Sequence, residues 1–314
     1  MYLINTSYGW NPGDDLIREG VINILGLQEA SKVFVNRAQL IIDGNIVPQW
    51  KTIRNNETPD ELGKIAKAII MAGSPEWLDF FEEFYEVAVK YQLPIYFVGV
   101  GMKPGAKNTD ALLQSVKHLV KGATVRDNIA ASTLKRHSIE TTWFPDPAFS
   151  ASYEIPPIKK YELVVNYRSC GGNGNFKPDF DDAWSAVQRA YSSDISLVTV
   201  HEQGEYAKAK SIFKAPVFYS SDYLDYKRIY ANTRVYLGGR IHGATPVLAC
   251  GGTAYVLYNS SKIQALSKVA EFMDTLYISK YSDTIPSLEY KDSTNSLAKL
   301  KNRISAHMKY WGDR

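Results

Sequence analysis

The sequence predicts an α/β protein built as two doubly wound domains. Short β-rich apolar runs alternate with longer amphipathic stretches almost from end to end, the pattern of βαβ units and a parallel sheet. The alternation breaks once, at SYEIPPIKKY (152–161), where two prolines and two lysines interrupt it, and then starts again. A chain of 314 residues suits about two domains of roughly 150 residues each.

In the first half the strand candidates are YLIN (2–5), KVFV (32–35), AIIMAG (68–73), PIYFVGVG (94–101), ATVRD (123–127) and TTWFP (141–145). The clearest helix is PEWLDFFEEFYEVAVKY (75–91), where Trp77, Phe80, Phe81, Phe84 and Val87 recur at helical spacing behind a first-turn proline. That aromatic stripe is expected in the core. The boundary at 152 separates a domain of residues 1–151 from one of residues 152–314. In the second, ELVVNY (162–167), ISLVTV (195–200), APVFY (215–219), TRVYLGG (233–239), TAYVLY (253–258) and TLYIS (275–279) are the strands. A last amphipathic segment, 295–311, has helical period and no strand after it, so it is free to pack on either domain. His118, His137 and His307 fall on predicted helices and are expected at the surface.

Composition excludes several classes. A 45% hydrophobic and 22% charged chain is globular, and a net charge of +3 is too small for a dedicated nucleic-acid binder. The start, MYLINTSYGW, lacks a basic leader with an apolar core, and no apolar run approaches the roughly 18 residues of a membrane span. A cytoplasmic protein is expected. Cys170 and Cys250 are too far apart for a disulfide framework or a zinc ribbon, and read as free thiols.

One stretch carries chemistry: GGRIHGATPVLACGG (238–252). In a doubly wound sheet ligands bind outside the carboxyl ends of the strands. TRVYLGG is such a strand and GATPVLAC reads as the helix after it, with Pro246 tolerable only near its beginning. If the turn is extended, the spacing of Arg240 and His242 points both side chains toward the unpaired amides of the helix start, making an anion site. Gly238, Gly239 and Gly243 suit close backbone approach to a ligand. The competing reading pairs Arg240 with a surface carboxylate and leaves His242 capping a neighbouring backbone group.

The strand, GGRIHGATPVLACGG, the strand TAYVLY and then NSSKIQALSKVAEF together resemble the signature segment of the polysaccharide pyruvyl transferase family. NPGDDLI (11–17), FVGVGMKP (97–104), TVRDNIA (124–130) and FPDPAF (144–149) resemble further family elements in the right order. The resemblance implies a glycosyltransferase-B-like arrangement of two Rossmann-like domains facing a cleft. It implies phosphoenolpyruvate as donor, a saccharide as acceptor and a pyruvate ketal as product, with phosphate released. It assigns the motif Arg and His, here Arg240 and His242, to the donor.

Ketal formation needs a proton for the donor's methylene carbon, cations for a trianionic donor and groups that accept hydroxyl protons. Arg240 is the first choice for the anion, since a guanidinium grips phosphate or carboxylate with two parallel bonds. His242 is the candidate acid, with Gly243 beside it in the same turn. Arg168, at the end of ELVVNY, is a second candidate cation, and the glycine-rich loop SCGGNGNF (169–176) reads either as a nest of amides or as a surface loop. Lys262 fits the family's lysine, and equally a first-turn surface position. His201 ends ISLVTV at another switch-point position. Asn11, Gly13 and Asp14 lie between the first strand and its helix, on the expected acceptor side. Asp14 or Asp15 is a natural N-cap there, or else a carboxylate for acceptor hydroxyls. No metal-ligand cluster stands out, so no cofactor is expected beyond phosphoenolpyruvate as co-substrate.

Two rival readings use the same fold. A nucleotide-sugar glycosyltransferase wants a ribose carboxylate after a second-domain strand, where Glu202 stands. A non-catalytic saccharide-binding relative is the other, and the intact Arg240 and His242 argue against it.

Overall fold

The computed structural model describes residues 1–5, 11–27, 32–42, 45–52, 58–73, 82–102, 109–152, 158–169, 179–258, 264–280 and 287–313. The chain divides into two compact units, one of Met1–Trp10, Ile17–Pro147 and Ile304–Arg314, the other of Asn11–Leu16 and Ala148–Arg303. The second unit thus starts four residues before the expected 152 and gathers in a short segment from near the start of the chain.

The first unit holds β1 (Tyr2–Asn5), β2 (Lys32–Ile42), β3 (Asn45–Thr52), β4 (Ala68–Ala72), β5 (Ile95–Val100), β6 (Val120–Val125) and β7 (Thr142–Trp143) in one sheet of order β3-β2-β1-β4-β5-β6-β7. All neighbours run parallel except β2 and β3. The β3 strand is absent from the expectation because Pro48 stands inside it. A proline gives no ladder donor, which is tolerated here because β3 is the edge. In β4 every residue is buried, the continuous apolar run of a parallel strand covered on both faces. Helices α1 (Pro12–Leu25), α2 (Pro59–Gly63), α3 (Glu82–Tyr91), α4 (Thr109–Val116) and α5 (Asn128–Arg136) connect the strands. Phe84 and Val87 of α3 enter the core with Leu3, Ile69, Phe97 and Leu113. Trp77, Phe80 and Phe81 of the predicted stripe lie outside the described residues.

The second unit is a six-stranded, all-parallel sheet of β8 (Tyr161–Asn166), β9 (Ile195–Thr199), β10 (Val217–Phe218), β11 (Thr233–Gly238), β12 (Thr253–Tyr258) and β13 (Leu276–Lys280), ordered β10-β9-β8-β11-β12-β13. Its helices are α6 (Asp179–Tyr191), α7 (Gln203–Ile212), α8 (Tyr223–Ala231), α9 (Ile241–Ala249) and α10 (Gln264–Ala270). The strand order reverses between β8 and β11, and at their carboxyl ends Asn166 and Gly238 stand side by side in register. This is the place where doubly wound folds bind ligands. Beneath it Tyr167, Trp184 and Phe213 pack ring against ring at centroid distances of 5.8 to 6.2 Å.

The last helix, α11 (Thr294–Gly312), contributes its residues from Ile304 onward to the first unit. There His307, expected at the surface, is 1% exposed. Its ring stacks on Phe144 at 4.2 Å and its Nε2 lies 2.9 Å from Thr124 Oγ1. Burial pushes its pKa down to about 3, so the imidazole is neutral.

Candidate active site

The turn after β11 leads at once into a helix. Arg240 is the N-cap of α9 (φ −114°, ψ 122°) and its carbonyl accepts from Gly243 N at 3.1 Å and from Ala244 N at 3.4 Å. His242 is therefore the second residue of a helix, not the end of an extended turn, and Pro246 lies inside the helix rather than at its start. The turn is built around one ring. Tyr236 Oη donates to the Arg240 carbonyl at 2.8 Å. A Cβ on Gly238 would stand 2.5 Å from Tyr236 Oη and 2.7 Å from Asn166 Cβ, and one on Gly243 would stand 2.6 and 2.7 Å from Tyr236 Cε2 and Cζ. These two glycines make room for a phenol, whereas the sequence reading had them making room for a ligand.

Arg240 is 9% exposed and turns toward carboxylates. Its Nη2 donates to Glu202 Oε1 at 2.8 Å and to Glu205 Oε2 and Oε1 at 2.9 and 3.0 Å. Burial pulls the guanidinium pKa down, but Glu205 and then Glu202 overcome it and the net shift is upward, so Arg240 is a fixed cation. Its Nε is buried with no hydrogen-bond partner among the described residues. Glu205, 2% exposed, also accepts from Ser169 N at 3.1 Å, so one buried carboxylate ties the loop after β8 to the turn after β11. The sequence does not single out Glu205, and it places Glu202 only where a ribose ligand would stand. The detectable signal was two carboxylates three apart at the start of the helix that follows a neighbouring strand, which places them on one face.

His201 turns inward. It is 2% exposed, and its Nε2 lies 2.7 Å from Tyr230 Oη in a buried network that continues to Thr199 Oγ1 (2.9 Å) and Asn166 Nδ2 (3.2 Å). Burial first, then the charges of Arg240, His242 and Arg168, hold its pKa well below the usual imidazole value. His201 is a neutral strut of the site floor. Arg168 is half-buried, and its carbonyl accepts from Trp184 Nε1 at 3.0 Å.

The segment Asn11–Leu16 clusters with this unit, and Gly13 lies directly on His242. Asn11, not Asp14 or Asp15, caps α1: Gly13 N donates to Asn11 Oδ1 at 2.8 Å and Asp14 N to Asn11 O at 3.0 Å. Asp14, 8% exposed, stands one residue beyond Gly13 in the first turn. So Arg240, His242, Gly13 and Asp14 belong to one unit, with Arg168 and His201 on the adjoining strand ends. Lys262 and residues 170–176 lie outside the described residues. A groove of about 460 Å³ beside the start of α7 is lined by Gln203, Tyr206, Ala207, Val217, Phe218 and Tyr219. None of these side chains is charged. Among the described residues no three His, Cys, Asp or Glu side chains group as metal ligands, and no helix is long and apolar enough to cross a membrane.

Two other motif elements serve the first unit. Arg126 pairs with Asp146, both buried, and Asp127 caps α5 through Ala130 N at 2.7 Å while accepting from Met102 N at 3.1 Å.

Residues 11–261 match the polysaccharide pyruvyl transferase family. The chain belongs to that family. No curated protein matches it. As a pyruvyl transferase family member it is similar in structure to MnaA of Staphylococcus aureus solved with UDP, at a TM-score of 0.56 and 15% identity over 98% of this chain and 90% of that one. It is also similar to the UDP-GlcNAc 2-epimerase of Methanocaldococcus jannaschii in complex with UDP-GlcNAc and UDP, with TM-score 0.58, 12% identity, and 98% and 100% coverage. A third relative, the putative UDP-N-acetylglucosamine 2-epimerase of Listeria monocytogenes, gives 0.54, 12%, and 98% and 90%. At these identities the likeness establishes the fold: this pyruvyl transferase family member is a glycosyltransferase-B-like α/β protein of two Rossmann-like units.

Proposed function

We propose that the protein transfers the pyruvyl group of phosphoenolpyruvate to two hydroxyls of a saccharide. The observation that carries this reading is the Arg-x-His turn of a pyruvyl transferase family member at the strand-order reversal of its second sheet. In the reaction the methylene carbon gains a proton, one hydroxyl adds to the resulting cationic carbon, phosphate leaves and the second hydroxyl closes the ketal. Two hydroxyl protons are lost, one balanced by the new methyl group and one by the released hydrogen phosphate.

The donor anion sits against the amide end of α9, held by His242, Arg168 and Arg240. His242 supplies the proton and Asp14, near it through Gly13, receives one from an acceptor hydroxyl. Asn11 shapes that side of the site. These cations and amides neutralise the donor without a metal.

The test is incubation of the purified protein with phosphoenolpyruvate and a panel of saccharides in the presence of a chelator, following phosphate release and the methyl resonance of the ketal. Turnover that requires magnesium or manganese removes the metal-free mechanism. Thermal stabilisation by uridine or guanosine nucleotides, with none by phosphoenolpyruvate, overturns the reading in favour of a nucleotide-sugar enzyme.

A further inference from the structure

One nitrogen of Arg240 serves two carboxylates that differ in every other respect. Nη2 carries two protons, yet three carboxylate oxygens lie 2.8 to 3.0 Å from it. The Glu205 side chain is 2% exposed and is held from a second direction by Ser169 N at 3.1 Å. The Glu202 side chain is 57% exposed and makes no cap bond to α7, although it occupies the N-cap position. Moving Glu205 away would strand a buried charge, whereas Glu202 can swing into water at little cost.

We infer that Glu205 is the positioning residue of the anion site and that Glu202 is its exchangeable counter-charge, a tethered carboxylate that an incoming anion displaces from Arg240. The inference rests on the reading of this turn as the donor site. The anion and Glu202 compete for one guanidinium. While Glu202 holds the guanidinium, the fraction of molecules ready for an anion is reduced, and the apparent affinity falls by that fraction. Glu205 acts in the opposite sense. It fixes the guanidinium against the loop after β8 and leaves the place that Glu202 holds to the ligand.

The two carboxylates therefore give opposite outcomes when neutralised. Glu202→Gln is expected to tighten anion binding by roughly 2- to 10-fold, the scale of a half-exposed ion pair. Glu205→Gln is expected to weaken it by about 10-fold or more, as loss of a supporting carboxylate does. A contact that merely stabilised the fold would not give shifts of opposite sign. The experiment is isothermal titration of the full-length protein and both variants with phosphoenolpyruvate, inorganic phosphate and UDP, with melting temperatures alongside. Glu205→Asp, which keeps the charge, replaces Glu205→Gln if the latter does not fold, and should weaken binding through its shorter reach.

Equal or weaker anion binding by Glu202→Gln overturns the inference, as does undiminished binding by a folded Glu205 variant. Failure of every anion to bind any form overturns it as well. If phosphoenolpyruvate binds no form while phosphate or UDP shows the opposite shifts, the division of roles stands and the donor assignment falls.

Discussion

Gly13 lies against the imidazole of His242 so closely that a Cβ there would stand 2.7 Å from His242 Cγ and 2.8 Å from its Cβ. Helix propensity alone favours alanine over glycine at such a position by up to about 1 kcal/mol. The glycine answers to the histidine instead. Gly13→Ala is therefore expected to leave the melting temperature within a few degrees while displacing the imidazole, lowering kcat at least about tenfold. Full activity in that variant would show that the position of His242 is immaterial.

Removing Arg240 strands Glu205. With the carboxylate 2% exposed, Arg240→Ala should cost about 3–5 kcal/mol of folding stability besides any loss of donor affinity. Arg240→Lys keeps a charge and loses the fork, so it should cost less stability and mainly raise the KM for donor. Urea denaturation of both variants decides the matter. A stable Arg240→Ala protein would mean that the buried pair does not support the fold.

His242→Gln retains hydrogen-bonding capacity but cannot act as an acid. Its kcat is expected to drop roughly 10²-fold with the protein folded, the lower end of a positioned acid's contribution. A pH-rate profile beside wild type is the check. If only the donor KM changes, His242 positions the ligand and the proton comes from another group.

His307 predicts acid sensitivity in the first unit. Burial places it at about 3 in the folded chain, against an ordinary value of 6.5 once unfolded. The unfolded chain therefore takes up the proton first. The neutral ring's contribution is complete above pH 6.5 and is lost as pH falls from there toward 3, about 3 kcal/mol by pH 4. His307→Gln should flatten that part of the stability curve, and an unchanged slope would remove His307 as its source.

Much of the architecture was readable because parallel strands buried on both faces announce themselves as apolar runs, as in AIIMAG. The place of Arg240 just beyond the end of β11 followed from the same alternation, whereas the helical position of His242 did not. What was missed depends on long-range partners. Pro48 disguised β3, since an edge position is invisible in a single sequence. His307 was readable: Leu300, Ile304, His307 and Trp311 recur at spacings of four, three and four, and all are buried. The histidine sits on the apolar stripe of its own helix. Glu205 was legible as a second carboxylate three residues after Glu202 at the start of α7, but its pairing with Arg240 was not, and the contact of Gly13 with His242 joins residues far apart along the chain that no local pattern encodes.

The phenol of Tyr236 and the bare α-carbons of Gly238 and Gly243 occupy one shared volume, so these three positions are a single choice for anyone diversifying the turn. A library that randomises 238 and 243 alone should return glycine at both. One that also frees 236 should recover side chains at 243 only in clones that have given up the aromatic ring, with the Arg240 carbonyl then left to other donors. The sequence GGRIHG is thus half of a motif whose other half is the tyrosine two residues before it.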